Sequence, residues 1–251
     1  MATPFEIVTE EFVDDMEAIR SLVETFNDPQ KPAKARIAAA NSATLLLAAT
    51  FEEYVREMAR EYARAVVSAT ESFDKLPNKL AATAWKRTMD GLSKVRFDGN
   101  QIGGGQENIF GIAQAKFNVI HDFCKGDLTQ DIYKDLIHNE NNMRPNEING
   151  LFKVSGLGDT CKKISDKPTI LEIFGDADPA KAHGKLLVHL EEFFERRNAI
   201  AHALNPGQSS GPGQIINDLN LLISFGVALC ETLTALSPPI ALGAPLEIQD
   251  M

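Results

Sequence analysis

What this sequence has little of narrows its function before any motif is read. It holds 3 cysteines, 1 tryptophan and 3 tyrosines among 251 residues. Cys124, Cys161 and Cys230 lie far apart with no C-x-x-C pair, so a disulfide framework is not expected and a reducing compartment fits. Positive charge is short too. Lys and Arg total 25 against 35 Asp and Glu, a formal net charge of −10 with a sequence pI near 5.0. That balance excludes a protein that coats nucleic acid by bulk charge, although it leaves room for a small, locally basic site.

Long apolar runs are scarce as well. Residues 35–51 are interrupted by Arg36, Asn41 and Ser42, and the apolar stretch Leu221–Cys230 is bounded by Asn220 and Glu231. Both suit buried core helices better than membrane spans. The stretch Met1–Glu11 is acidic and lacks a basic segment followed by an apolar one. No secretory leader is therefore expected, and the chain reads as cytoplasmic with no membrane partner.

What is present is helical. Lys34–Ser68 is rich in Ala, Leu, Glu and Arg with no Gly or Pro, which predicts one long helix. On it, Glu52/Arg56, Glu57/Arg60 and Glu61/Arg64 stand at helical spacings that suit ion pairs on an exposed face. Lys181–Leu204 predicts a second long helix, closed by Asn205-Pro206-Gly207. Shorter helices are expected over residues 10–26, 79–92, 108–123 and 128–137, with another starting at Arg144-Pro145 and a last one over 215–236. Residues 159–175 read as loop with one short helix, and 208–213 as a linker. No alternating apolar run long enough for a strand is found, and no internal repeat. The expected fold is an all-α helical bundle with two long helices and an irregular middle region. It is expected as a single domain over 1–251, with its core at about 34–236, an N-terminal extension at 1–33 and a tail at 237–251.

The second long helix carries the chemistry. At about 100° per residue, Leu186, Leu190, Phe193, Ile200 and Leu204 fall in one stripe, with Arg197 in its middle. A guanidinium there needs a carboxylate, a phosphate or a water-lined groove. Asn198 and His202 stand i,i+4 along the stripe's edge. Such a trio suits a phosphodiester. Arg offers a planar fork to the non-bridging oxygens, His exchanges a proton near neutrality, and Asn donates to phosphate or fixes the imidazole. A plainer role fits the same residues, because cations suit a helix C-terminus and a lone His near one is usually structural.

Arg197-Asn198-Ala199-Ile200-Ala201-His202 resembles the R-x4-6-H signature of the HEPN superfamily. Two further segments are similar to its RiboL-PSP-like branch: Thr50-Phe51-Glu52-Glu53-Tyr54 on the first long helix, and Met143-Arg144-Pro145-Asn146-Glu147-Ile148-Asn149-Gly150-Leu151-Phe152 in the middle. The resemblance implies a metal-independent endoribonuclease of a prokaryotic toxin–antitoxin or antiphage defence system. It further implies a homodimer whose signature helices meet across a two-fold axis, where a ribose 2′-hydroxyl attacks the adjacent phosphate. Arg197 would clamp the phosphate, Asn198 orient it and His202 act as general acid/base. Arg196 is a second candidate phosphate contact, although its wheel position faces away from the stripe. Glu52, Arg56 and Arg64 echo polar positions of some branches and are candidate substrate-binding residues, a spacing that solvated ion pairs explain equally well. Some members carry a Tyr two residues after the His; Leu204 stands there, so the silencing by adenylylation known for Tyr-bearing members is not expected. RNA is the implied substrate and no cofactor is implied. A cognate antitoxin or a defence ATPase is a possible partner. The alternatives are a non-catalytic HEPN-like module that binds RNA or protein, and a purely structural helical adaptor.

Other chemistries lack support. Gly103-Gly104-Gly105 follows no strand and precedes no Lys-Ser/Thr. His183 and His189 are i,i+6, poor metal geometry on one helix. His121-Asp122 and His138-Asn139-Glu140 lack a second ligand pair, and no Ser-centred nucleophile elbow occurs.

Overall fold

The computed structural model describes residues 2–95, 106–138, 141–202 and 210–238. Among them every regular element is helical, and no strand forms. The elements are α1 (Pro4–Phe26), α2 (Ala33–Ser68), α3 (Leu80–Ser93), α4 (Gln106–Cys124), α5 (Tyr133–Leu136), α6 (Pro145–Val154), α7 (Thr160–Ser165), α8 (Pro168–Phe174), α9 (Pro179–His202) and α10 (Pro212–Leu236). The all-α expectation is met, with both long helices where the composition put them.

Two local differences have plain causes. α1 starts at Pro4 rather than residue 10, because Thr3 and Glu6 form a capping box. The Thr3 hydroxyl accepts the Glu6 amide at 3.2 Å, and the Glu6 carboxylate accepts the Thr3 amide at 2.6 Å. Residues 159–175 hold two short helices rather than one. Pro168 starts the second, and Gly175 ends it in the left-handed region at φ 58°. The expected glycine-triplet loop, Leu204, Asn205-Pro206-Gly207 and most of the tail lie outside the described residues.

The chain groups into two compact units. Unit 1 takes residues 1–61 and 139–236, hence α1, most of α2 and α6–α10. Residues 1–33, expected ahead of the core, hold α1, whose stripe Phe5, Phe12, Met16, Ile19 and Val23 is buried against the rest of the structure. Aromatic rings join the helices. Phe12 stacks on Tyr54 with centroids 4.0 Å apart, and Phe51 meets Phe225 edge-on at 5.2 Å. The Tyr54 hydroxyl donates to the Gly226 carbonyl at 2.7 Å and lies 3.0 Å from the Thr9 hydroxyl. A Cβ on Gly226 would sit 2.6 Å from the Phe12 ring, so only glycine lets α1 and α10 approach this closely. α10 is apolar nearly all round because it is buried nearly all round. By length and composition it could cross a membrane, yet 56% of its most apolar window is buried within the structure, as for a core helix.

Unit 2 takes residues 62–138 and the chain after 236. The last turns of α2 lead into a 3-10 turn at Phe73–Lys75, then α3, α4 and α5. α3 packs on both α4 and α5. Leu80, Ala84, Ile120, Phe123, Leu136 and Ile137 are fully or nearly fully buried, and Phe73 meets Phe123 edge-on at 5.7 Å.

Candidate functional site

α9 buries Ala182, Leu186, Leu190, Phe193, Phe194 and Ile200, which adds Ala182 and Phe194 to the described part of the expected stripe. Arg196, Arg197 and Asn198 fall between Phe194 and Ile200 and are half-buried, while His202 closes the helix exposed. Arg197, Asn198 and His202 face one open groove of about 460 Å³. The groove's other lining residues are Asn141, Asn142, Arg144 and Glu147, the segment that leads into α6. Pro145 starts α6, and Ile148, Leu151 and Phe152 bury its inner face, which fixes that segment in place.

Asn198 is held by its side-chain oxygen. Asn142 Nδ2 donates to it at 2.8 Å, and Arg197 Nη1 donates to the same atom at 3.2 Å. With that oxygen engaged by two donors, the Asn198 amide nitrogen is left as a donor of its own. The arginines then divide sharply. Arg144 is ion-paired with Glu191 of α9. Arg196 turns to α10, where Asp218 accepts it at 2.6 Å and also accepts Gln214 at 2.9 Å. Burial pushes the Asp218 carboxyl above its usual range, with Arg196 pulling back. Arg197 makes no ion pair with a carboxylate among the described residues, and its Nε is buried without a partner.

The charge of Arg197 is felt at Glu52 of α2. The expected solvated pair of Glu52 with Arg56 is replaced by a different arrangement. Glu52 is only 9% exposed, its Oε1 lacks a partner, and Arg56 binds Glu53 at 2.9 Å instead. Burial holds the Glu52 carboxyl above the usual carboxylate range, against the opposing pull of Arg197, Arg56 and the Met143 amide. Arg60 is clamped by Glu53 at 2.8 Å and Glu57 at 2.5 Å, so the expected Glu57–Arg60 pair forms. Arg64 belongs to unit 2, where its guanidinium lies 4.8 Å over the Tyr133 ring.

The structure thus brings Arg197, Asn198 and His202 to one groove and sets Glu52 within electrostatic reach of Arg197. It places Arg196 on Asp218, Arg56 on Glu53 and Arg64 on Tyr133, none of them lining that groove. Sequence reasoning missed Asn142, Arg144 and Glu191 as parts of the site. The Arg144-Pro145 start was visible, but nothing local says which helix it faces. The rejected histidines stay apart: His183 contacts Ser165 at 3.2 Å, and His189 packs on Phe174 at 5.5 Å. Among the described residues no three His, Cys, Asp or Glu side chains gather as a metal cage.

An all-helical fold whose long helix ends on Arg-Asn-x-x-x-His beside an open polar groove has the build of a HEPN-type protein. The chain matches the RiboL-PSP-HEPN family over residues 10–235, from within α1 to the last turn of α10, and belongs to that family. No curated protein and no solved structure matches it.

Proposed function

We propose that this protein is a metal-independent endoribonuclease of a prokaryotic toxin–antitoxin or antiphage defence system, acting as a cytoplasmic homodimer. The observation that carries this reading is Arg197: a half-buried guanidinium, without a carboxylate partner among the described residues, facing a groove it shares with Asn198 and His202. A phosphate is the missing counter-ion. Arg197 grips its non-bridging oxygens, and the Asn198 amide nitrogen adds a third donor.

The reaction needs two proton transfers and no net redox change. A ribose 2′-hydroxyl loses its proton to one base while its oxygen forms a bond to the adjacent phosphorus. The phosphorus–O5′ bond breaks, and O5′ takes a proton from an acid. Two copies of His202, one from each subunit, supply the base and the acid. The products carry a cyclic phosphate and a free 5′-hydroxyl. A cognate antitoxin or a defence ATPase is the proposed regulator.

A purified preparation tests this on RNA in EDTA. Wild type is expected to cut and leave cyclic phosphate ends, while His202→Ala slows cutting by about 10²–10⁴-fold with its helical spectrum unchanged. Equal cutting by both proteins overturns the assignment. Activity lost in EDTA removes its metal-independent part. The net charge of −10 favours one second reading, a non-catalytic module that binds RNA or a protein. Binding without cutting of any RNA, with harmless expression, selects that reading.

A further inference from the structure

Unit 1 contains a second cavity that shares no lining residue with the groove. It encloses about 230 Å³, and its walls are largely apolar: Val23 and Phe26 of α1, Ile37 and Ala40 of α2, and Ile215 of α10. Three polar side chains, Asn27, Arg36 and Ser210, interrupt them, and two of these have an unpartnered polar atom. Arg36 of α2 is half-buried, its Nε lacks a hydrogen-bond partner, and no ion pair engages it among the described residues. Ser210 is 9% exposed, and its hydroxyl is likewise without a partner.

Ser210 lies just ahead of α10, whose first residue Pro212 has no amide hydrogen. The next amides, those of Gly213 and Gln214, are the first donors of a long helix and have no partner within it. A guanidinium, a hydroxyl and the start of a helix therefore line one largely apolar chamber. A half-buried cation with no counter-charge is costly, and the common complement of all three groups is an anion. The remaining walls are apolar apart from Asn27, which suits a compact apolar chain better than a sugar and base.

We propose that this cavity binds a small amphipathic anion, a carboxylate or phosphate monoester joined to a compact apolar chain. The head group sits between Arg36 and Ser210 at the start of α10, and the chain fills the space bounded by Phe26, Ile37 and Ile215. This site stands independently of the nuclease reading, because none of its residues lines the groove.

The test is calorimetric titration of the full-length protein with octanoate and with octyl phosphate, using octanol as the uncharged control. At least one anion is expected to bind at one site per chain, with octanol at least tenfold weaker. Arg36→Gln should weaken the anion by about tenfold or more, as loss of a charge-assisted hydrogen bond does. Ser210→Ala should weaken it several-fold, and Ala40→Phe should abolish binding by filling the chamber. Melting curves establish that each variant is folded; should Arg36→Gln not fold, the other two decide. The preferred head group tells carboxylate from phosphate. Absence of saturable binding by either anion, octanol bound equally well, or affinity unchanged in the folded variants overturns the proposal.

Discussion

Glu52 and Tyr54 stand two residues apart on α2, both buried, and the protein treats them in opposite ways. Around Tyr54 the polar bookkeeping closes: its hydroxyl donates to Gly226 and contacts Thr9, inside a clamp of stacked rings. Around Glu52 it stays open. One carboxylate oxygen has no partner, and the arginine it faces, Arg197, has a buried nitrogen with none. Satisfied polar groups hold helices in register, and they do so cheaply. Unsatisfied ones cost stability, and Arg197 differs from Arg60 and Arg196, whose Nε atoms also lack a partner, in that no carboxylate among the described residues engages the rest of its guanidinium. The contrast separates the part of unit 1 that closes its own polar groups from the part proposed to meet a substrate.

The sharpest way to break the comparison is to remove the open side. Arg197→Ala is expected to lower RNA cleavage by about 10²–10³-fold, the loss typical for one donor to a developing oxyanion. Arg60→Ala is the matched control, because Glu53 and Glu57 already neutralise that arginine. It should leave cleavage near wild type. Rates measured alongside circular dichroism decide the matter, and equal losses in both variants would erase the distinction.

Removing the closed side should do the reverse. Gly226→Ala drives a methyl to 2.6 Å from the Phe12 ring. The expected cost is about 1–3 kcal/mol of unfolding free energy, as for overpacking elsewhere. Tyr54→Phe, which loses a hydrogen bond but keeps the ring, should cost about 1 kcal/mol. Chemical denaturation measures both. A Gly226→Ala protein as stable as wild type would mean that α1 and α10 are not held at this distance.

Much of this was legible from local spacing, and the rest was not, for a physical reason. The helical period alone puts Asn198 and His202 on one edge and Arg197 in the apolar stripe, and the groove holds all three. Composition alone gave α2 and α9 their type and most of their length. The Thr3–Glu6 box was present to be read, and it accounts for the earlier start of α1. What spacing does not fix is the partner across a tertiary contact. Arg196 and Arg197 are neighbours in sequence, and only the register of α10, which brings up Asp218, makes one a strut and the other a candidate ligand. Glu52 and Arg56 stand at a separation ideal for a solvated pair; spacing does not show that Glu52 is buried, accepts the Met143 amide and feels the charge of Arg197. Asn142 and Arg144 were invisible as site residues on the same ground.

The smallest effect expected is also the most specific to Glu52. Its carboxyl is held above the usual carboxylate range by burial, so in the folded state it keeps a proton that the unfolded chain has already released. Below the unfolded value both states are protonated, and the native state gains the full benefit. As pH rises through the folded value, the buried group must ionise and that benefit is lost. Glu52→Gln never ionises. Its melting temperature should therefore exceed that of wild type at pH 7.5, by about 2–4 °C for each kcal/mol of relief, and the gap should close as pH falls toward the ordinary carboxylate range. Asp218 is shifted in the same direction but is common to both proteins, so the difference isolates Glu52. In an Arg197→Ala background Glu52 loses its largest opposing charge, and the gap should widen. A gap of constant size across this range, or a wild type more stable at pH 7.5, would mean that Glu52 is not the strained carboxylate behind the groove.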